Sequence, residues 1–174
     1  MNGLSLFADP AEESRPSSAL EALLTATIPG RPVGAARPRV VRLPTKADGT
    51  PGRTITHMPD NSVRWEEQAR QSFTGLWGER PPWPGLVIVE LLAVHHRPGR
   101  LRRRADPRAA IPAGCKPDLD NVVKLAMDAM VKAGVLVDDT RVAELRCRRL
   151  FGRIDLEGND LEVERVEVRV IPVP

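Results

Sequence analysis

"CKPDLDNVVKLAMDAMVKAGVLVDD", residues 115–139, decides how this chain is read. Leu119, Val122, Val123, Ala126, Met127 and Met130 recur at helical spacing, which predicts an amphipathic helix from about Asp118 to Lys132. Gly134 follows as its stop. Acids gather at both ends: Asp118 and Asp120 at the start, and Asp138 and Asp139 after "VLV", a segment expected to be a short strand. In extended chain, residues i and i+2 point the same way, so Asp118 and Asp120, after Pro117, can face one cavity. Asp120, Lys124 and Asp128 follow at i, i+4 and i+8 and share the polar face of the helix. The return through "VLV" is expected to bring Asp138 or Asp139 back toward that site.

Working outward, strands flank this helix. "LVIVELLAVHH", 86–96, is a near-continuous aliphatic run and predicts a buried central strand. "RVAELRCRRLFG", 141–152, alternates as a strand does. "DLEVERVEVRVIPV", 160–173, also alternates, with one phase shift near Arg165 that predicts a bulge or kink. Upstream, "LLTATI" suits a first strand stopped by Pro29-Gly30, and "RVVRL" and "RTITHM" suit a hairpin around "ADGTPG". "PDNSVRWEEQARQSFTGLW", 59–77, predicts a helix capped by Asp60 or Ser62. Trp65, Trp77 and Trp83 read as packing anchors around it. Residues 1–18 mix acids, Pro and Ser and read as a mobile tail, leaving 19–174 as one domain. The order β-(hairpin)-α-β-α-β-β implies a single α/β or α+β domain, a mixed sheet with two main helices.

The charge is unevenly placed. Of 26 basic residues 22 are arginine, the side chain suited to bidentate phosphate contacts. Residues 31–53 carry six basic residues against one acid, and 97–108 carry six arginines against one aspartate. Nucleic acid is the natural partner, ahead of a membrane, because no amphipathic apolar stretch accompanies either cluster. Aromatics are only 3% of the chain, which disfavours stacking platforms for single strands. Cys115 and Cys147 are too few for a disulfide framework and lack metal-site spacing, so a reducing interior is expected. There is no secretory signal and no apolar run near the ~20 residues that span a bilayer, so the expected location is the cytoplasm. His95 and His96 end a buried strand and read as a polar terminus before a metal pair.

Converging carboxylates repel, at about 4 kcal/mol per pair near 4 Å in an effective dielectric of 20, unless a cation joins them. Mg²⁺ suits a few carboxylate oxygens, waters and a substrate phosphate, and supports metal-assisted phosphodiester hydrolysis. Lys124 could then orient water or neutralise developing charge. The plainer reading is that Asp118 caps the helix, Asp120 pairs with Lys124, and Asp138-Asp139 are turn residues. An EF-hand is excluded, because Val122 and Val123 stand where a ligand and the turn glycine belong.

"KPDLDNVVKLAMDAM" followed by "GVLVDDTRVAEL" resembles the signature of the RusA family of Holliday-junction resolvases, and "IPGRPVGAARPRV", "SVRWEEQAR" and "LVIVELLAV" resemble its upstream elements more weakly. The resemblance covers about residues 25–172. It implies a bacterial or phage-encoded endonuclease that acts as a homodimer on four-way DNA junctions with Mg²⁺, and that serves recombination and repair. It implies metal-ligand or catalytic roles for Asp118, Asp120 and Asp139 and an essential basic role for Lys124. The extra N-terminal tail and the arginine-rich loop at 97–114 depart from the family pattern.

The leading expectation is therefore a Mg²⁺-dependent (or Mn²⁺-dependent) junction endonuclease. Arg37, Arg39 and Lys46 in the first basic segment, Arg102, Arg103 and Arg104 in the second, and Lys116 beside the acids are the expected phosphate contacts. A non-catalytic DNA-binding module with structural acids is the alternative, as is a nuclease acting on flaps or forks.

Overall fold

The computed structural model describes residues 21–36, 39–42, 44, 54–57 and 59–174. The expected tail at 1–18 and the turn "ADGTPG" lie outside them. In chain order the elements are β1 (Leu24–Pro29), β2 (Arg39–Arg42), β3 (Thr54–His57), α1 (Asp60–Trp77), β4 (Val87–His95), β5 (Ile111–Pro112), α2 (Leu119–Lys132), β6 (Val142–Phe151) and β7 (Arg165–Pro172). Together they form a mixed α+β domain.

The aliphatic run becomes the centre of the main sheet, whose order is β1-β7-β4-β6-β5. β4 runs antiparallel to β7 and parallel to β6. A parallel pair needs a crossover, and α2 is that crossover. β2 and β3 form a separate antiparallel ribbon, the expected hairpin.

Both helices cover one face of the sheet. Leu24, Ala26 and Ile28 of β1, Val89, Leu91 and Ala93 of β4, and Val166, Val168 and Val170 of β7 are all buried there, as period-two alternation requires. Trp65, Ala69, Phe73 and Trp77 of α1 and Val122, Val123, Ala126, Ala129 and Met130 of α2 meet them at helical spacing. On the opposite face Glu90 of β4 lies between Arg146 of β6 (3.1 Å) and Arg169 of β7 (3.0 Å), a cross-strand row of alternating charge.

α2 ends as its sequence dictates. Gly134 takes φ +73°, its N–H donates to Val131 O, and the Val135 N–H donates to Met130 O, both at 3.0 Å. These are the two bonds of a Schellman stop, which needs a residue tolerant of positive φ.

Four local expectations change. Pro59, not Asp60 or Ser62, occupies the cap position of α1; Ser62 is buried and donates its hydroxyl to Gly34 O at 3.1 Å. "VLV" forms no strand: Leu136 makes a single parallel bridge to Trp83, and a 3₁₀ turn (Asp139–Arg141) leads into β6. The phase shift near Arg165 is neither bulge nor kink. It marks the start of β7, whose pairing with β1 and β4 is regular from Arg165 onward, while Leu161 and Val163 before it are exposed. The loop at 97–114 contains a 3₁₀ turn and the short edge strand β5, which pairs with β6.

Candidate active site along the second helix

The chain bends at Lys116 and Pro117, across a cis peptide bond, before it enters α2. Burial alternates from 112 to 118, so that Lys116 and Asp118 are exposed while Ala113, Cys115 and Pro117 are half-buried, and Asp120 is exposed one residue into the helix. Both acids are thus solvent-facing, with Asp118 at the cap position and Asp120 in the first turn of the helix. Asp118 is the N-cap residue of α2, yet its side chain makes no capping bond. Asp120 and Lys124, one turn apart, form no ion pair within 4 Å. The plainer reading holds in part: Asp118 stands at the cap position and Asp138 and Asp139 form a turn, but the Asp118 capping bond and the Asp120–Lys124 ion pair are not made.

A groove of about 410 Å³ runs between α2 and β6. Its apolar lining is Leu119, Val123 and Met127 from the helix with Leu145 and Cys147 from the strand, and its polar lining is Asp120, Lys124, Asp128 and Asp139. Burial pushes the Cys147 thiol up to about 11, so the one thiol in the groove is held neutral. Asp128, which the sequence shows as the i+8 position of the polar face, lines the same groove as Asp120 and Lys124.

The two adjacent acids part company here. Asp138 caps the 3₁₀ turn, accepting the Thr140 N–H at 2.9 Å. That backbone bond, helped by the Thr140 side chain, holds its carboxyl below the usual aspartate range. Asp139 instead lines the groove.

The single-chain convergence of acids expected from the sequence does not occur. Asp118 and Asp120 sit at the start of a 14-residue helix and Asp139 lies beyond its end. Asp139 reaches the groove that Asp120 lines, but the two are not drawn together with Asp118 onto one ion. Accordingly, no three His, Cys, Asp or Glu side chains among the described residues stand together as a metal site, and Asp118 is not part of the groove lining. The donors themselves suit a hard cation: all are carboxylates, and Asp118, Asp120 and Asp139 are exposed.

The arginines divide by employment. Arg37 and Lys46 lie outside the described residues, and Arg39 is described only as backbone of β2. Arg103, Arg104 and Lys116 are exposed. Arg102 is turned inward, donating to Gly158 O at 3.0 Å and pairing with Asp160. Arg97, only 1% exposed, donates to Pro107 O, Ala109 O and Gly152 O and so gathers the arginine loop around itself. Sequence reasoning missed this role because a carbonyl partner leaves no residue-type signature. His95 is buried at the end of β4, and its desolvation lowers its pKa; such a group is not a surface phosphate contact. His96 is exposed.

No helix among the described residues is long and apolar enough to cross a membrane. No curated protein matches the chain. Residues 29–171 match the family described as endodeoxyribonuclease RusA, a family of nucleases, and that span includes both helices, the groove between α2 and β6 and the acids along it. With the match covering most of its 174 residues, the chain belongs to the RusA endodeoxyribonuclease family.

Proposed function

We propose that this protein is a Mg²⁺-dependent endonuclease that resolves four-way DNA junctions as a two-fold dimer, serving recombination and repair in the cytoplasm of a bacterial cell. The observation that carries the reading is the row of exposed acids along α2 and the turn after it, standing beside Lys124 in a protein of this family. Asp118, Asp120 and Asp139 would hold the ion, with Mn²⁺ accepted through the same oxygen donors. When bound, the ion supplies an activated water and stabilises charge on the scissile phosphate. Lys124 keeps an ammonium unpaired among the acids, available to the phosphate oxygens as charge develops. Arg103, Arg104 and Lys116, with Arg37, Arg39 and Lys46, hold the flanking backbone. Arg102 leaves this set, because its guanidinium is committed to Asp160 and Gly158.

The dispersal of the acids supports the dimer. No three acids of one chain stand together as an ion site among the described residues, so a second chain, its α2 antiparallel to the first, would complete the set. The apolar lining of the groove beside α2 is the surface such packing would cover. The symmetry of the dimer then supplies two sites for the two strands of a junction.

Incubating a purified four-way junction with protein and Mg²⁺ tests the reading. Paired nicks are expected; tight binding without nicking would leave only a non-catalytic DNA-binding module with structural acids. Equal or faster cutting of flaps or replication forks would reassign the substrate.

A further inference from the structure

The segment that delivers Asp118 has little regular structure of its own. β5 ends at Pro112 and α2 begins at Leu119. The Ala113 N–H still reaches Arg149 O at 3.0 Å, and there the backbone ladder to β6 stops. The side chain of Arg149 continues it. Its Nε donates to Ala113 O at 3.0 Å, and its Nη1 donates to Cys115 O and to Pro117 O. The chain bends at Lys116 and Pro117, whose peptide bond is cis, and the bend brings the Cys115 and Pro117 carbonyls within reach of one guanidinium nitrogen. The other side of the same segment is closed by Gly34: a Cβ there would stand 2.9 Å from the Cβ atoms of both Pro117 and Asn121, and the Ala35 N–H donates to Asn121 O at 2.8 Å.

Beyond Ala113 no backbone ladder decides which side chains of this bent segment face outward. As folded, Lys116 and Asp118 are exposed and Cys115 and Pro117 are half-buried. From this we infer that Arg149 is a positioning residue for the acidic motif. Its planar fork fixes the path of residues 113–117 and thereby the direction in which Lys116 and Asp118 are presented. A lysine carries the same charge, but all its donors sit on one nitrogen, so it cannot hold Ala113 O and Pro117 O from two fixed points as Nε and Nη1 do. The inference rests on the function proposed above for the use made of Asp118, while the clamp itself is independent of it.

Arg149→Lys and Arg149→Met test it. In both, amide exchange across residues 113–120 should quicken by about tenfold or more while α1 keeps its protection. The Mg²⁺ concentration for half-maximal junction nicking should rise about tenfold, as expected when the outer support of a metal ligand is lost. Junction affinity without Mg²⁺ should change less than about threefold, because Arg149 is not itself a phosphate contact. Arg149→Lys should fall between wild type and Arg149→Met. Wild-type exchange in a folded variant, an unchanged Mg²⁺ requirement, or a fall in metal-free junction affinity as large as the Mg²⁺ effect overturns the inference. Failure of both variants to fold also overturns it, by assigning Arg149 to the core. A wild-type protein that never nicks junctions refutes the proposed function instead, and the exchange measurement then decides the clamp alone.

Discussion

Asp138 and Asp139 are chemically identical neighbours that the fold puts to different uses, and substitution should separate them. Asp139→Asn removes a groove carboxylate and is expected to lower single-turnover nicking by on the order of a hundredfold. Asp138→Asn keeps an acceptor for the Thr140 N–H, so nicking within a few-fold of wild type is expected. Reversal of the two results would move the third acid to Asp138. Asp120→Asn should likewise abolish cutting while junction binding persists in a gel-shift assay, and unchanged cutting would remove Asp120 from the catalytic set. Cys147 offers a check on the groove itself. With its pKa raised from 9.0 to about 11, its thiolate fraction at pH 8 is about a hundredfold below that of an unperturbed thiol, and alkylation should be correspondingly slow. Fast labelling would mean that the groove is wetter than its apolar lining implies. At this scale spacing points to Asp118 and Asp120 and leaves Asp138 and Asp139 open, the resemblance implies Asp139, and the structure parts the two neighbours, Asp138 capping the turn and Asp139 lining the groove. The sequence was silent on Arg149, whose partners are backbone oxygens and carry no residue identity.

The arginine loop shows why charge counting alone misleads at the level of an element. Two of its six arginines, Arg97 and Arg102, hold the loop together and are not offered outward. Arg97→Met would remove three hydrogen bonds, one of them to the buried Gly152 carbonyl, and should cost about 3 kcal/mol, read as a lowered urea midpoint. Arg103→Ala should leave stability alone and reduce the salt dependence of junction binding by about one unit of slope, as loss of one phosphate contact requires. If Arg103→Ala instead left the slope unchanged, the loop would not track the DNA backbone. Helices and long strands were legible because their apolar periodicity is strong: α2 and β4 fall within a residue or two of their expected bounds. "VLV" and the phase shift before Arg165 were misread because short apolar runs do not reveal which neighbour they pack against. Leu136 found Trp83, and Leu161 and Val163 found solvent.

At the scale of the molecule, the proposed dimer makes a sharp prediction. Mixing Asp120→Asn chains with Asp139→Asn chains should restore single nicks if each site draws acids from both protomers, because one of the two sites in the mixed dimer is then intact. Sites built within one chain would leave every mixture inactive. The sheet carries a different consequence. β7 lies between β1 and β4, so the strand nearest the start of the domain pairs with the one nearest its end. During synthesis β1 and β4 must wait, partnerless along those edges, until residues 165–172 clear the ribosome. A chain halted just before Arg165 would already carry every acid of the motif yet lack the strand that joins its sheet. Nascent or truncated copies are thus expected to stay unfinished, and junction nicking is expected only once the last strand is in place.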